Sequence, residues 1–183
     1  VDDFVIIHKD ENIIREAKAE ISKWLWDGPR LVLSEEKTAI RNTNKSFDFL
    51  GFTCITITRG SSTRAKIYPS RLSQARLLLK VRQIVINNRN ASSYNLINLL
   101  RPVIIGWANY FRFSECSSIF SKLTHLIFQK LRAWVFRRDT RNGKKEVKQR
   151  YFPSNKSYFF DGSKHQDNWV LHGKQIGKSG DRK

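Results

Sequence analysis

The hydrophobic periodicity of this chain changes at Tyr68-Pro69, and that change restricts the fold more than any other feature. Before it, apolar residues come in short β-branched runs: Phe4-Val-Ile-Ile-His8, Leu31-Val-Leu33 and the longer Phe47–Thr58. Runs of this length bounded by turn residues predict strands. A further extended piece is expected near Thr38–Arg41, and Phe47–Thr58 reads as one arm of a hairpin that turns at Arg59-Gly-Ser-Ser62. One segment among them, about Glu11 to Trp26, has helical spacing. Its Ile13, Ile14, Ala17, Ile21, Trp24 and Leu25 share a face, and Arg15, Glu16, Lys18 and Lys23 face water. Asp10 supplies its N-cap and Gly28-Pro29 its stop.

After Tyr68-Pro69 the spacing is helical in three consecutive segments. Ser70 can cap a helix reaching about Asn88, with Leu72, Ala75, Leu79 and Ile86 on its apolar side. Arg76, Lys80, Gln83 and Asn87 form a polar and basic stripe on another face. Ser92 or Ser93 opens a second helix, broken or restarted at Pro102, that continues through Trp107 to Arg112. A third, about Ser117 to Arg138, buries Ile119, Phe120, Leu123, Ile127, Leu131 and Trp134, with Lys122, Gln129, Arg132 and Arg137 off that seam. Short connections make these a three-helix bundle. Trp107 is expected to pack against Trp134, and Gly106 to permit close approach of two helices. Asp139–Arg150 reads as a basic linker. Beyond it come the aromatic clusters Tyr151-Phe152-Pro153 and Tyr158-Phe159-Phe160, a small strand at Trp169-Val-Leu171 and a mobile stretch from Gly173. The fold class is therefore α+β: antiparallel strands plus one helix in residues 1–62, a mainly α bundle in 63–140, and a basic, partly irregular extension in 141–183.

Charge follows the same division. The 183 residues carry 34 Lys plus Arg against 16 Asp plus Glu, a net of +18. Residues 64–150 hold nineteen basic and three acidic residues, whereas residues 1–63 hold nine and ten. Solubility alone does not require such an imbalance, and its natural partners are nucleic acids or an anionic membrane surface. An apolar content of 40% excludes a disordered basic tail. No apolar run approaches the roughly 20 residues of a membrane span, and no signal-peptide pattern opens the chain. Cys54 and Cys116 lack close spacing or paired histidines, so a disulfide framework or zinc site is not expected; two buried, reduced thiols are. His165 and His172 are lone histidines, expected in exposed loops rather than in a nuclease site. With no methionine among them, these residues are expected to be a piece of a longer translated chain.

Asp2-Asp3 stand immediately before the first apolar run. Adjacent carboxylates at a strand turn suit hard Mg²⁺ and a two-metal phosphoryl-transfer site, although an isolated Asp-Asp is ordinarily a solvated surface feature. Further along come Leu-Val-Leu-Ser-Glu-Glu-Lys37-Thr38 and Phe47-Asp-Phe-Leu-Gly-Phe52, then Leu99-Leu-Arg-Pro-Val-Ile-Ile-Gly-Trp-Ala-Asn-Tyr-Phe-Arg112. In this order the motifs resemble the end of the palm and the maturase domain of reverse transcriptases encoded by group II introns. Asp2 and Asp3 match the two acidic residues of the Tyr-x-Asp-Asp hairpin, and Lys37 a lysine near the nucleotide site. Phe49, Leu50, Gly51 and Phe52 match the primer-grip turn. The stretch from Leu99 is similar to the family's Leu-Asn-Pro-x-x-x-Gly-Trp-x-x-Tyr pattern, with Arg101 where Asn is usual. Phe120-Ser-Lys-Leu, Leu131-Arg-Ala-Trp134, the basic run to Tyr151-Phe152, and Asn168-Trp-Val extend the resemblance over roughly residues 1–172.

The resemblance implies a palm remnant (1–62), a thumb or maturase-specific helical domain (63–140) and a basic extension leading toward a DNA-binding region (141–183). It implies binding of intron RNA for folding and splicing, and a grip on primer–template during RNA-directed DNA synthesis. The expected partners are group II intron RNA, a primer–template duplex and target DNA, with no membrane and no small-molecule cofactor. Mg²⁺, held by Asp2, Asp3 and a third, upstream aspartate, would serve the complete palm and is not expected to bind this segment tightly. Without fingers and that aspartate, the segment alone is expected to lack polymerase activity. The compartment implied is a bacterial cytoplasm or an organellar matrix or stroma. The cations expected to meet RNA are Arg71, Arg76, Lys80, Arg82, Arg89, Arg101, Arg112, Lys122, Lys130 and Arg132, followed by Arg137, Arg138, Arg141, Lys144, Lys145, Lys148 and Arg150. Trp107 and Trp134 are expected in the core, although Trp107 and Tyr110 have rings that could stack on bases. A degenerate maturase retaining only splicing help, or a general basic RNA-binding protein, are the alternatives; a third aspartate and a tyrosine upstream would favour the polymerase.

Overall fold

The computed structural model describes residues 3–152 and, as backbone, two short strands at 157–160 and 163–166. Asp2, Asn168, Trp169, Leu171, His172 and the stretch from Gly173 lie outside the described residues.

Helix α1 (Glu11–Asp27) starts where expected. The Asp10 carboxylate accepts a hydrogen bond from the Asn12 N–H at 2.8 Å, and Glu11 in the first turn complements the helix dipole. It ends at Gly28, whose N–H donates to the Trp24 carbonyl. No residue of α1 is buried, and Trp24 remains 67% exposed. The strands predicted at Phe4–His8 and Leu31–Leu33 do not form; both segments, like Thr38–Arg41, lack regular structure. A strand exists only by pairing with a neighbour, and among the described residues none lies beside these runs. Phe4 to Ile7, Leu31 and Val32 accordingly stay exposed.

The predicted long strand is divided. β1 (Phe47–Phe49) and β2 (Phe52–Arg59) pair antiparallel across the two-residue turn Leu50-Gly51, in register Phe49↔Phe52. Both turn residues have positive φ, +47° at Leu50 and +82° at Gly51, the backbone that a tight hairpin with right-twisted strands requires. β2 turns at Gly60-Ser61 into β3 (Ser62–Pro69), completing a sheet of order β1-β2-β3.

Three helices follow, as the periodicity requires: α2 (Arg71–Asn87), α3 (Ser93–Phe111) and α4 (Ser117–Arg138). The hydroxyls of Ser70 and Ser92 cap α2 and α3 by accepting the N–H of Ser73 and Asn95. The core joins Leu77 and Val81 of α2, Leu96, Leu100, Ile104, Ala108 and Phe111 of α3, and Phe120, Leu123, Ile127, Leu131, Trp134 and Val135 of α4. Three expectations need correction here. On α2 the buried side is Leu77 and Val81, whereas Leu72, Ala75, Leu79 and Ile86 are exposed; the helix is apolar on two sides, and packing chose the other one. α3 runs through Pro102 without a break, because Pro102 lies on the exposed face while Leu100 and Ile104 anchor both flanking turns. The ring partners of Trp107 are Phe111 at 4.5 Å and Phe120 at 5.5 Å, not Trp134, and a Cβ at Gly106 would meet nothing within 4 Å, so that glycine permits no close approach.

The segment read as a basic linker contains helix α5 (Lys144–Tyr151). Its Val147 is buried in the bundle core, and Phe152 meets Phe128 edge-on at 5.0 Å. One buried valine among six charged or polar neighbours was too sparse a pattern to show as periodicity. The strands β4 (Ser157–Phe160) and β5 (Ser163–Gln166) form a second, two-stranded hairpin, which places His165 in a strand rather than a loop. Architecture is α+β, as expected. Among the described residues no helix is long and apolar enough to cross a membrane.

Candidate nucleic-acid interface

Charge on the bundle is arranged so that its few acids are already engaged. The segment 64–150 has three carboxylates. Glu115 is paired with Arg64, and Arg150 reaches both Asp139 at 3.2 Å and Glu146 at 3.6 Å. Two arginines thus account for all three, and the other lysines and arginines of α2, α4 and α5 face no acid of their own segment. Arg71, Arg76, Lys80, Arg82 and Arg89 are exposed, as are Lys122, Arg132, Arg137, Arg138, Arg141, Lys144, Lys145 and Lys148; Arg101, Arg112 and Lys130 are half-buried. The predicted stripe Arg76, Lys80, Gln83, Asn87 does face solvent, now flanked by the exposed Leu72, Leu79 and Ile86.

Several cations are held by neighbours rather than left to wander. Arg112 lies 4.5 Å over Phe113, Arg132 lies 5.3 Å over Phe136, and Arg138 lies 5.3 Å over Trp134 while donating to the Ala91 carbonyl. Trp134 in turn donates its indole N–H to the Asn88 carbonyl at 3.2 Å. Around this ring the ends of α2 and α4 enclose a pocket of about 710 Å³, lined by Val85, Ile86, Arg89, Asn90, Lys130, Trp134, Arg137 and Arg138. Sequence patterning marked Trp134 only as core and did not single out Val85 or Asn90; no linear motif joins residues forty apart.

The turn Phe49–Phe52 docks on the bundle. The Tyr110 hydroxyl donates to the Leu50 carbonyl and the Ser73 hydroxyl to the Gly51 carbonyl, each at 2.9 Å. Phe52 stacks on Tyr110 at 5.3 Å and meets Phe111 at 4.7 Å. Tyr110 is therefore a latch on the turn, and neither its role nor that of Ser73 was visible in the sequence. Asp3 and Lys37 are both exposed, Lys37 in the turn Ser34–Lys37. Among the described residues no group of three or more His, Cys, Asp or Glu side chains could hold a metal ion. Asp3 by itself does not fit a Mg²⁺ site. Cys54 is half-buried and Cys116 buried, both free, and burial pushes both thiols above their usual range.

The helical bundle, flanked by its sheet, thus carries an unbalanced cationic surface. Residues 74–152 match the family described as group II intron, maturase-specific domain. The match spans α2 to α5 and includes the helix that sequence patterning had read as a linker. The resemblance to the C-terminal piece of a group II intron maturase is thereby supported. A maturase-specific domain implies a function in group II intron splicing, with the intron RNA as partner. No curated protein matches the chain significantly.

Proposed function

We propose that the cationic surface of α2, α4 and α5 binds group II intron RNA directly and stabilises its spliceable fold, the chemistry being done by the RNA. The observation that supports this most is the disposition of charge within the matched domain: all three acids are engaged by Arg64 and Arg150, and the remaining cations of those helices are exposed except the half-buried Lys130. Cations so placed neutralise phosphates and release counterions. The docking of Phe49–Phe52 on Tyr110 and Ser73 favours a second role in a longer polymerase. There the turn and the bundle would hold the primer–template as one body, Asp2, Asp3 and Lys37 would serve the Mg²⁺ and nucleotide end, and the extension would approach target DNA.

Binding of the chain to a group II intron RNA, compared with a same-length control RNA across a salt series, tests the reading. The intron RNA should bind more tightly and persist to higher salt. Engagement of six to ten phosphates should cost roughly 10³–10⁵ in affinity between about 50 and 200 mM salt. Equal affinity for both RNAs at every salt concentration would remove the maturase role and leave general RNA binding.

A further inference from the structure

We infer that the pocket between the ends of α2 and α4 is a binding site for an unpaired RNA nucleotide, with phosphate at its cationic rim and the base against its apolar wall. The inference rests on RNA being the partner, as proposed above, and specifies where and in which form it is taken.

Three observations carry it. The first is charge: Arg89, Lys130, Arg137 and Arg138 line one pocket, and no carboxylate does. Both helices end here, and each C-terminus contributes roughly half a negative charge. Four cations outweigh the two helix ends by about three charges, so the pocket attracts anions. The second is wall chemistry. Val85, Ile86 and the Trp134 ring provide apolar surface inside the cationic rim, and Asn90 adds donors and an acceptor. Simple phosphate binding has no use for an apolar wall, whereas unpaired RNA bases are held by stacking on aromatic or guanidinium planes and by edge hydrogen bonds. The third is preorganisation. Arg138 is fixed over Trp134 and to the Ala91 carbonyl, and Trp134 to the Asn88 carbonyl, so one guanidinium plane is already set before any ligand arrives. A volume of about 710 Å³ lies in the range of pockets that enclose small organic ligands, and a duplex, whose bases are stacked and paired, cannot present one to it.

The test uses the whole chain and fluorescence anisotropy with a labelled oligouridylate of about eight nucleotides. Its comparison probe has the same length and phosphates but abasic riboses. The oligouridylate should bind roughly tenfold more tightly than the abasic strand, as expected of base stacking. Lys130→Gln and Arg137→Gln should each weaken the oligouridylate roughly tenfold and lower its salt slope by about 0.7. Lys23→Gln, on the exposed face of α1 and of equal charge loss, should change neither. Ile86→Ser should weaken the oligouridylate and leave the abasic strand unaffected. Equal affinity of wild type for the two probes overturns the site without depending on any variant. So does equal weakening by Lys130→Gln, Arg137→Gln and Lys23→Gln. If the chain binds intron RNA but not the oligouridylate, the pocket falls and the maturase reading stands; if it binds neither, both fall.

Discussion

Gly51→Ala is the substitution whose consequences the structure specifies most fully. Gly51 has φ +82°, and a Cβ there would stand 2.8 Å from the Ser73 hydroxyl oxygen. Two costs follow. Holding an L-residue in the left-handed region costs about 1–2 kcal/mol. The Ser73 hydroxyl must also swing away, giving up its hydrogen bond to the Gly51 carbonyl, worth about 0.5–1.5 kcal/mol. The sum is about 1.5–3.5 kcal/mol, or roughly 3–14 °C in Tm for a chain of this length. Denaturant unfolding at unchanged slope measures it. Ser73→Ala loses the same hydrogen bond but removes the obstructing oxygen. The double variant should therefore be less destabilised than the two single losses predict, by about 0.5–1.5 kcal/mol. Strict additivity would mean that Gly51 and Ser73 do not touch. A loss under about 0.5 kcal/mol in Gly51→Ala would refute the turn geometry itself.

Reversing charge on the α2 stripe with Arg76→Glu and Lys80→Glu should weaken RNA binding and reduce the salt slope by about 1 per residue, while far-ultraviolet circular dichroism stays unchanged; unchanged affinity would assign the interface to another face. Gly106→Ala should stabilise by about 0.5–1 kcal/mol in denaturant unfolding, because its Cβ enters open space on an exposed helix face. Cys116 is raised from its usual 9.0 mainly by burial. Its neutral thiol therefore contributes stability that is complete below about pH 9 and lost as pH rises through the raised folded value. The unfolding midpoint should decline on the alkaline side, and Cys116→Ala should flatten that decline.

What the sequence made legible was whatever local pattern determines. Asp10, Ser70 and Ser92 sit where a helix needs an acceptor for its first N–H groups, and all three cap as expected. The α4 seam Phe120, Leu123, Ile127, Leu131, Trp134 was readable because its opposite face is polar. α2 has no such contrast. With Leu72, Leu77, Leu78, Leu79, Val81, Ile84, Val85 and Ile86 around one cylinder, only contact with α3 and α4 decides that Leu77 and Val81 go inside. Phe4–His8 failed for the complementary reason: β-branched composition states a preference, but pairing requires a partner strand that the described residues do not supply. For the site, charge and resemblance pointed to the helices that the family match covers. The pocket stayed hidden because Arg89, Lys130 and Arg137 converge only once α2 and α4 end side by side.

The charge boundary at residues 63–64 lies close to the structural boundary at Tyr68-Pro69. The near-neutral part of the chain meets the bundle at a small, tightly specified place, the Leu50-Gly51 turn and the adjoining Phe52. Tyr110 and Ser73 bind its two carbonyls, and the N–H of Ser70 donates to Gly51 as well. Leu50 keeps a left-handed backbone there, at φ +47°, a conformation that would relax if its surroundings did not hold it. The constraint has a mechanical consequence. Ser70 caps α2, Ser73 belongs to its first turn and Tyr110 to the last turn of α3, so the turn is clamped at the end of the bundle opposite the Trp134 pocket. RNA taken along the cationic length of α2, from Arg71 to Arg82 and on to Arg89 just beyond the helix, would thus run between a fixed turn at one end and a basic pocket at the other. Both ends are set by contacts within the protein, so a ligand taken there would meet a preformed surface, and its binding would not have to order the protein first.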